Sequence, residues 1–165
     1  MNCNIVTICK RKIYALNKRQ PKEDSVLYLA DSCFARKIVE NPNYLTALAL
    51  RNDFSNSKIL LCDQVCYELV SHGFSLDEVT ATITKVLRSK VVLVQATIPE
   101  YVLAESLVEQ FTPKLHWPDN LILSAAIQNK SILLSCDKDL IEVSEKCGQK
   151  CINPDLIGTW EEILV

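Results

Sequence analysis

Five short apolar runs punctuate the chain at 26–30 (VLYLA), 58–62 (KILLC), 90–95 (KVVLVQ), 131–135 (SILLS) and 149–152 (QKCI), with helix-period stretches in the gaps. No other feature narrows the fold as far. The first four have the length of a buried strand, and the fifth is a shorter candidate. Strands that alternate with helices cannot be joined by tight hairpins. They pair in parallel through helical crossovers, and helices cover both faces of the sheet. The expected class is therefore α/β. Composition agrees where it matters: 48% hydrophobic and 23% charged residues supply a core, and three glycines and six prolines argue against a turn-rich sandwich or a low-complexity chain.

The gaps carry helix ends. Ser75 with Glu78, and Thr97 with Glu100, read as capping boxes for helices over 75–89 and 97–111, the second with Pro99 in its first turn. Residues 63–73 begin at Asp63, an N-cap candidate, and stop at Gly73. Residues 42–54 read as another helix, and 153–165 as a short terminal one anchored by Trp160. Residues 118–130 (PDNLILSAAIQNK) place Pro118 in a first turn and are apolar almost all round, which predicts a helix buried on every side. No apolar run approaches a membrane span. The N-terminal charges follow the first apolar patch, the reverse of a secretory leader, so the expected location is the cytoplasm.

Isolated acids stand where the runs end. Asp31 follows the first strand, and Asp137 lies two residues past Ser135 at the end of the fourth. Glu68 falls on the helix after the second strand, and Asp119 in the first turn of the buried helix. Ligands of open parallel sheets bind beyond the carboxyl ends of the strands, so these four acids can converge on one rim. Each has a plain reading alone: Asp119 as a first-turn acid, Asp31 and Asp137 as helix caps, Glu68 as a solvated position. Together they fit a cation better, because four carboxylates side by side cannot all stay ionised without compensation. An all-oxygen set suits Mg²⁺ or Mn²⁺, and such a site points to metal-dependent phosphodiester hydrolysis.

The stretches VLYLADS with Asp31, LLCDQVCYELV with Glu68, PDNLILSAAIQNK with Asp119 and ILLSCDKDL with Asp137 and Asp139 resemble the PIN-domain nucleases. Within that family they are most similar to the toxin-type (VapC-like) ribonucleases of bacterial toxin–antitoxin pairs. The resemblance runs over roughly residues 25–157, and its last two motifs are the most specific. It implies a three-layer α/β/α domain with a small, mainly parallel central sheet. It also implies a Mg²⁺ or Mn²⁺ site and endonucleolytic cleavage of RNA. Carried over by position, Asp31, Glu68, Asp119 and Asp137 match the catalytic and metal-binding acids. Asp139 is then a secondary metal contributor or a helix cap. Ser135 replaces the more usual threonine and keeps its hydroxyl, and Ser32 also fits. Arg36 and Lys37 stand where RNA phosphates would lie, or are surface charge. A small antitoxin protein, RNA and a second copy of the chain are the implied partners.

Two features lie outside that pattern. Residues 1–24 form a basic extension, disordered or contributing an extra strand, ahead of a domain over 25–165. Lys10, Arg11, Lys12, Lys18, Arg19 and Lys22 precede the first acid, Glu23, which leaves 12 of the 18 basic residues against all 20 acids in the remainder. Such an arm is a nucleic-acid tether, a solvated tail or an overlong start. Eight cysteines occur without a CxxC pair, and the expectation is reduced thiols packed as small apolar residues, including Cys33, Cys62 and Cys136 near strand ends. His116 and Trp117 either touch a base or close the buried helix against the body. The competing functions are a PIN-like RNA- or protein-binding module without turnover, and an α/β enzyme acting on phosphorylated small molecules. The latter usually carries a glycine-rich loop or a DxD after the first strand, where this chain has ADSC.

Overall fold

The computed structural model describes residues 25–43 and 54–156. The basic extension, most of the expected 42–54 helix and the Trp160 helix lie outside the described residues. Five strands form one sheet: β1 (Leu27–Ala30), β2 (Lys58–Cys62), β3 (Lys90–Val94), β4 (Ile132–Leu134) and β5 (Cys151–Ile152). Their order is β3-β2-β1-β4-β5, and every pairing is parallel. Each run thus forms a strand within a residue or two of its expected limits.

The described helices are α1 (Ser32–Glu40), α2 (Asp63–Ser71), α3 (Leu76–Leu87), α4 (Ile98–Phe111), α5 (Asp119–Gln128) and α6 (Lys138–Lys146), followed by a 3-10 turn over Pro154–Leu156. α1, α2 and α3 pack on one another, as do α4 with α5 and α5 with α6. Right-handed crossovers place the first group on one face of the sheet and the second on the other. The result is the three-layer α/β/α architecture. Among the described residues no helix is long and apolar enough to cross a membrane.

The layer between these faces is apolar. Leu29, Ile59, Leu61 and Leu133 are fully buried in the sheet, against Phe34 and Ile38 of α1 and Leu123 of α5. α5 meets its expectation most fully, since every residue from Asn120 to Ala126 is buried. Its polar side chains serve the packing: Asn120 Nδ2 donates to the Ala104 carbonyl and Ser124 Oγ to the Glu100 carbonyl, pinning α5 along α4.

Several local expectations change. β3 is the sheet edge rather than a buried strand, with Leu93 57% exposed; a flanking Lys90 suits an edge that must not pair further. Asp63 is the first helical residue of α2, not its cap. Its Oδ1 instead accepts from the backbone N–H of Gln64 (2.9 Å) and of Ala96 (3.3 Å), fastening α2 to the chain leaving β3. Pro118 occupies the N-cap of α5, one residue ahead of the first turn. Ser75 caps α3 by position, but its side chain makes no capping hydrogen bond. Glu100 does reach back to the Thr97 backbone N–H. Gly73 ends α2 with φ of +86°, a left-handed conformation that favours glycine.

Candidate active site

The sheet order reverses direction at β1, so a crevice opens beyond the carboxyl ends of β1 and β4. Asp31 sits there with 3% of its surface exposed, its backbone N–H donating to the Leu134 carbonyl (3.0 Å). It holds the N-cap position of α1, yet its carboxylate does not cap. Instead Oδ2 accepts from Ser135 Oγ (2.7 Å) and Cys33 Sγ (2.8 Å), and Oδ1 from Ser32 Oγ (3.3 Å). Ser135 is fully buried, and its Oγ also accepts the Asp137 backbone N–H at 3.0 Å. One hydroxyl therefore orients Asp31 with its proton and holds the chain of Asp137 with its lone pair. Ser32 and Ser135 take the supporting places expected of them.

The thiols beside them are more than filling. Cys33 donates to Asp31, lies 3.7 Å from Ser135 Oγ, and accepts the Cys136 backbone N–H at 3.1 Å. Its side chain is also hydrogen-bonded to that of Cys136, which, together with burial and the Asp31 charge, raises the Cys33 pKa. The same hydrogen bond lowers that of Cys136, against burial and with help from Lys37. Packing does account for Cys62, whose thiol burial pushes up to about 12. The sequence signal for Cys33 was its place two residues after Asp31, which by itself does not separate a donor from a filler.

The remaining acids gather about Asp119 at the start of α5. Its pKa is pushed up to about 7, first by burial and then by the carboxylates of Asp31, Asp137, Glu68 and Asp139 in turn. The rim thus brings together the four acids expected there, and Asp139 with them. Asp137 is exposed and caps α6, its Oδ1 accepting the Leu140 N–H at 2.8 Å. The cap is therefore Asp137, while Asp139 is an exposed first-turn residue. Glu68 is half-buried on α2 and accepts from Gln64 Nε2 (3.3 Å).

The donor set is all oxygen, and the raised Asp119 pKa reports negative charge without local compensation, which is the chemistry a hard divalent ion satisfies. As the side chains stand, no three acid, thiol or imidazole groups among the described residues are drawn together tightly enough to ligate one ion. Asp137 has one oxygen engaged in its cap, and Glu68 is held by Gln64.

Of the two expected RNA-facing cations, Lys37 is turned to another use. Its ammonium pairs with the Asp155 carboxylate (2.6 Å), tying α1 to the 3-10 turn. Arg36 is half-buried on the same helix. His116 and Trp117 are exposed, and the Trp117 ring stacks on Tyr101 with centroids 6.1 Å apart and planes at 18°. Glu100, a second buried acid, belongs to packing: its Oε1 accepts from Asn129 Nδ2 at 2.9 Å.

No protein-family model matches the sequence, and no curated protein matches it. Solved structures do share its fold. VapBC-1 from nontypeable Haemophilus influenzae aligns with a TM-score of 0.58 at 10% identity, over 79% of this chain and 99% of the other. A toxin–antitoxin complex from Klebsiella pneumoniae aligns with a TM-score of 0.55 at 14% identity, over 79% and 98%. A PilT N-terminus domain protein from the hyperthermophilic archaeon Sulfolobus solfataricus P2 aligns with a TM-score of 0.54 at 13% identity, over 80% and 90%. With the sheet order, the crossovers and the acid-lined rim already in place, this likeness identifies the architecture: the chain has the PIN-domain fold.

Proposed function

We propose that the chain is a metal-dependent endoribonuclease that hydrolyses RNA phosphodiester bonds, acting as the toxin of a toxin–antitoxin pair in the cytoplasm. The observation that carries this reading is the gathering of Asp31, Glu68, Asp137 and Asp139 around Asp119 beyond the carboxyl end of the sheet. Asp31, Asp119 and Asp137 would hold Mg²⁺ or Mn²⁺, with Glu68 and Asp139 completing the set. Such an ion supplies an activated water and positive charge for the phosphate oxygens. Asp31 is fixed by two hydroxyls and a thiol, so one oxygen-donor arm is oriented before substrate arrives. Ser135 holds the Asp137 backbone to the same frame. The exposed Tyr101–Trp117 stack, two residues ahead of Asp119, offers a surface for an unpaired base, which favours single-stranded RNA.

An acidic rim also suits a basic side chain from an inhibitory partner, and two of the aligned structures are of VapBC-1 and of a toxin–antitoxin complex. An antitoxin and a homodimer are accordingly the proposed assemblies. The deciding experiment is RNA cleavage with Mg²⁺ or Mn²⁺, with EDTA, and with folded Asp119→Asn. Cleavage that needs the ion and fails in the variant supports the reading. An Asp119→Asn protein cutting at full rate would sink it, and RNA binding indifferent to both acids and metal would favour the module without turnover.

A further inference from the structure

The acids and hydroxyls of the rim leave two thiols without a part in hydrolysis. Cys33 opens α1 just past β1, and Cys136 lies just past β4, 103 residues away in the chain. β1 and β4 are adjacent parallel strands, in register at Ala30 and Leu134. Neighbouring strands run about 4.8 Å apart, and disulfides span Cα separations of that order. The two side chains are hydrogen-bonded to each other, and the Cys136 backbone N–H also meets Cys33 Sγ at 3.1 Å. Both residues are half-buried at the rim rather than sealed in the core, unlike Cys62. Cys33 is also one of the two donors on Asp31 Oδ2.

We propose that Cys33 and Cys136 are a disulfide site, formed by peroxide and opened by dithiols, and that closing it turns the acidic site down. In the first step the Cys136 sulfur attacks a peroxide oxygen, the O–O bond breaks, and a sulfenic acid and one water result. The Cys33 sulfur then attacks the Cys136 sulfur, the S–O bond breaks, and a second water leaves with the remaining thiol proton. The two thiols supply the two electrons that reduce the peroxide. The bonded Cys33 sulfur has no proton to donate, so Asp31 Oδ2 keeps Ser135 alone. The new bond also staples the start of α1 to the segment carrying Asp137. The bond itself is independent of the proposed chemistry, while its effect on cleavage rests on the nuclease reading.

The test treats the full chain with hydrogen peroxide, blocks free thiols by alkylation and maps linked peptides by mass spectrometry. The expected result is a Cys33–Cys136 link that dithiothreitol removes and that Cys136→Ser lacks. Absence of that link, or a Cys136–Cys151 link in its place, overturns the proposal. RNA cleavage by the oxidised wild type should fall about tenfold against the same protein after reduction, the scale of a hydrogen bond to a charged group. The ratio of oxidised to reduced activity should stay near one in Cys136→Ser, its fold checked by circular dichroism. A link formed without any loss of cleavage overturns the switch. A link formed in a protein that never cleaves RNA supports the disulfide site and overturns the nuclease reading.

Discussion

Glu100 and Asp31 are two carboxylates buried almost equally, 4% and 3% exposed, with opposite uses. Glu100 lies where the start of α4 meets the end of α5, and its oxygens are taken by the Thr97 backbone N–H and the Asn129 side-chain amide. Its task ends in joining two helices. Asp31 is held by two hydroxyls and a thiol, and its charge bears on Asp119 across the crevice. Burial therefore does not mark a reactive acid in this fold. What distinguishes Asp31 is the company of other carboxylates, brought in from separate elements at the point where the sheet reverses.

The contrast is strongest in activity. Asp31→Asn should reduce metal-dependent RNA cleavage by about 100-fold or more, the scale of losing an electrostatic group from a preorganised site, with the circular dichroism spectrum unchanged. Glu100→Ala should do the reverse. It strips acceptors from the Thr97 N–H and Asn129, lowering stability by about 2 kcal/mol in urea unfolding. Cleavage per folded molecule should be unaltered, and a selective loss of activity would erase the distinction.

Asp119 offers a finer test. Its folded pKa near 7 lies above the ordinary aspartate value, so the folded chain holds that proton more tightly than the unfolded one. The associated stability is full below the ordinary value and is lost as pH rises through about 7. Without added metal, Asp119→Asn should therefore be more stable than wild type at pH 8, by about 1–2 kcal/mol once screening on its open side is allowed for. The gap should close in acid, and Mg²⁺ should raise the wild-type melting temperature more than that of the variant. The smallest effect belongs to the aromatic stack. Trp117→Ala should raise KM for single-stranded RNA about fivefold with kcat kept, and an unchanged KM would remove the ring from substrate binding.

The strands and the acid rim were legible because each depends on local pattern: short apolar runs, and single acids at their ends. Asp31 and Ser135 could be placed from strand ends alone, and the near-uniform apolarity of 120–126 announced a buried helix. What escaped depends on contacts distant in the chain. The Lys37–Asp155 pair spans 118 residues, and no signal near Lys37 separated an ion pair from a phosphate contact. Cys33 and Cys136 looked like filling, since thiols pack and donate with the same side chain. Ser75 and Asp63 show the limit of capping patterns. The right residue types stand in the right places, but Ser75 forms no capping bond and the Asp63 carboxylate turns to Ala96 instead.

The burial of α5 has a consequence for how the rim behaves in time. Its residues 120–126 touch α4, α6, β1 and β4, so their amide hydrogens cannot reach solvent by fraying and must await a larger opening. Deuterium should enter this helix among the slowest in the chain, and enter the exposed start of α6 at Asp137–Asp139 much sooner. The rim would then have a still side and a yielding side. An arriving ligand would find Asp119 already in place and draw Asp137 and Asp139 toward itself.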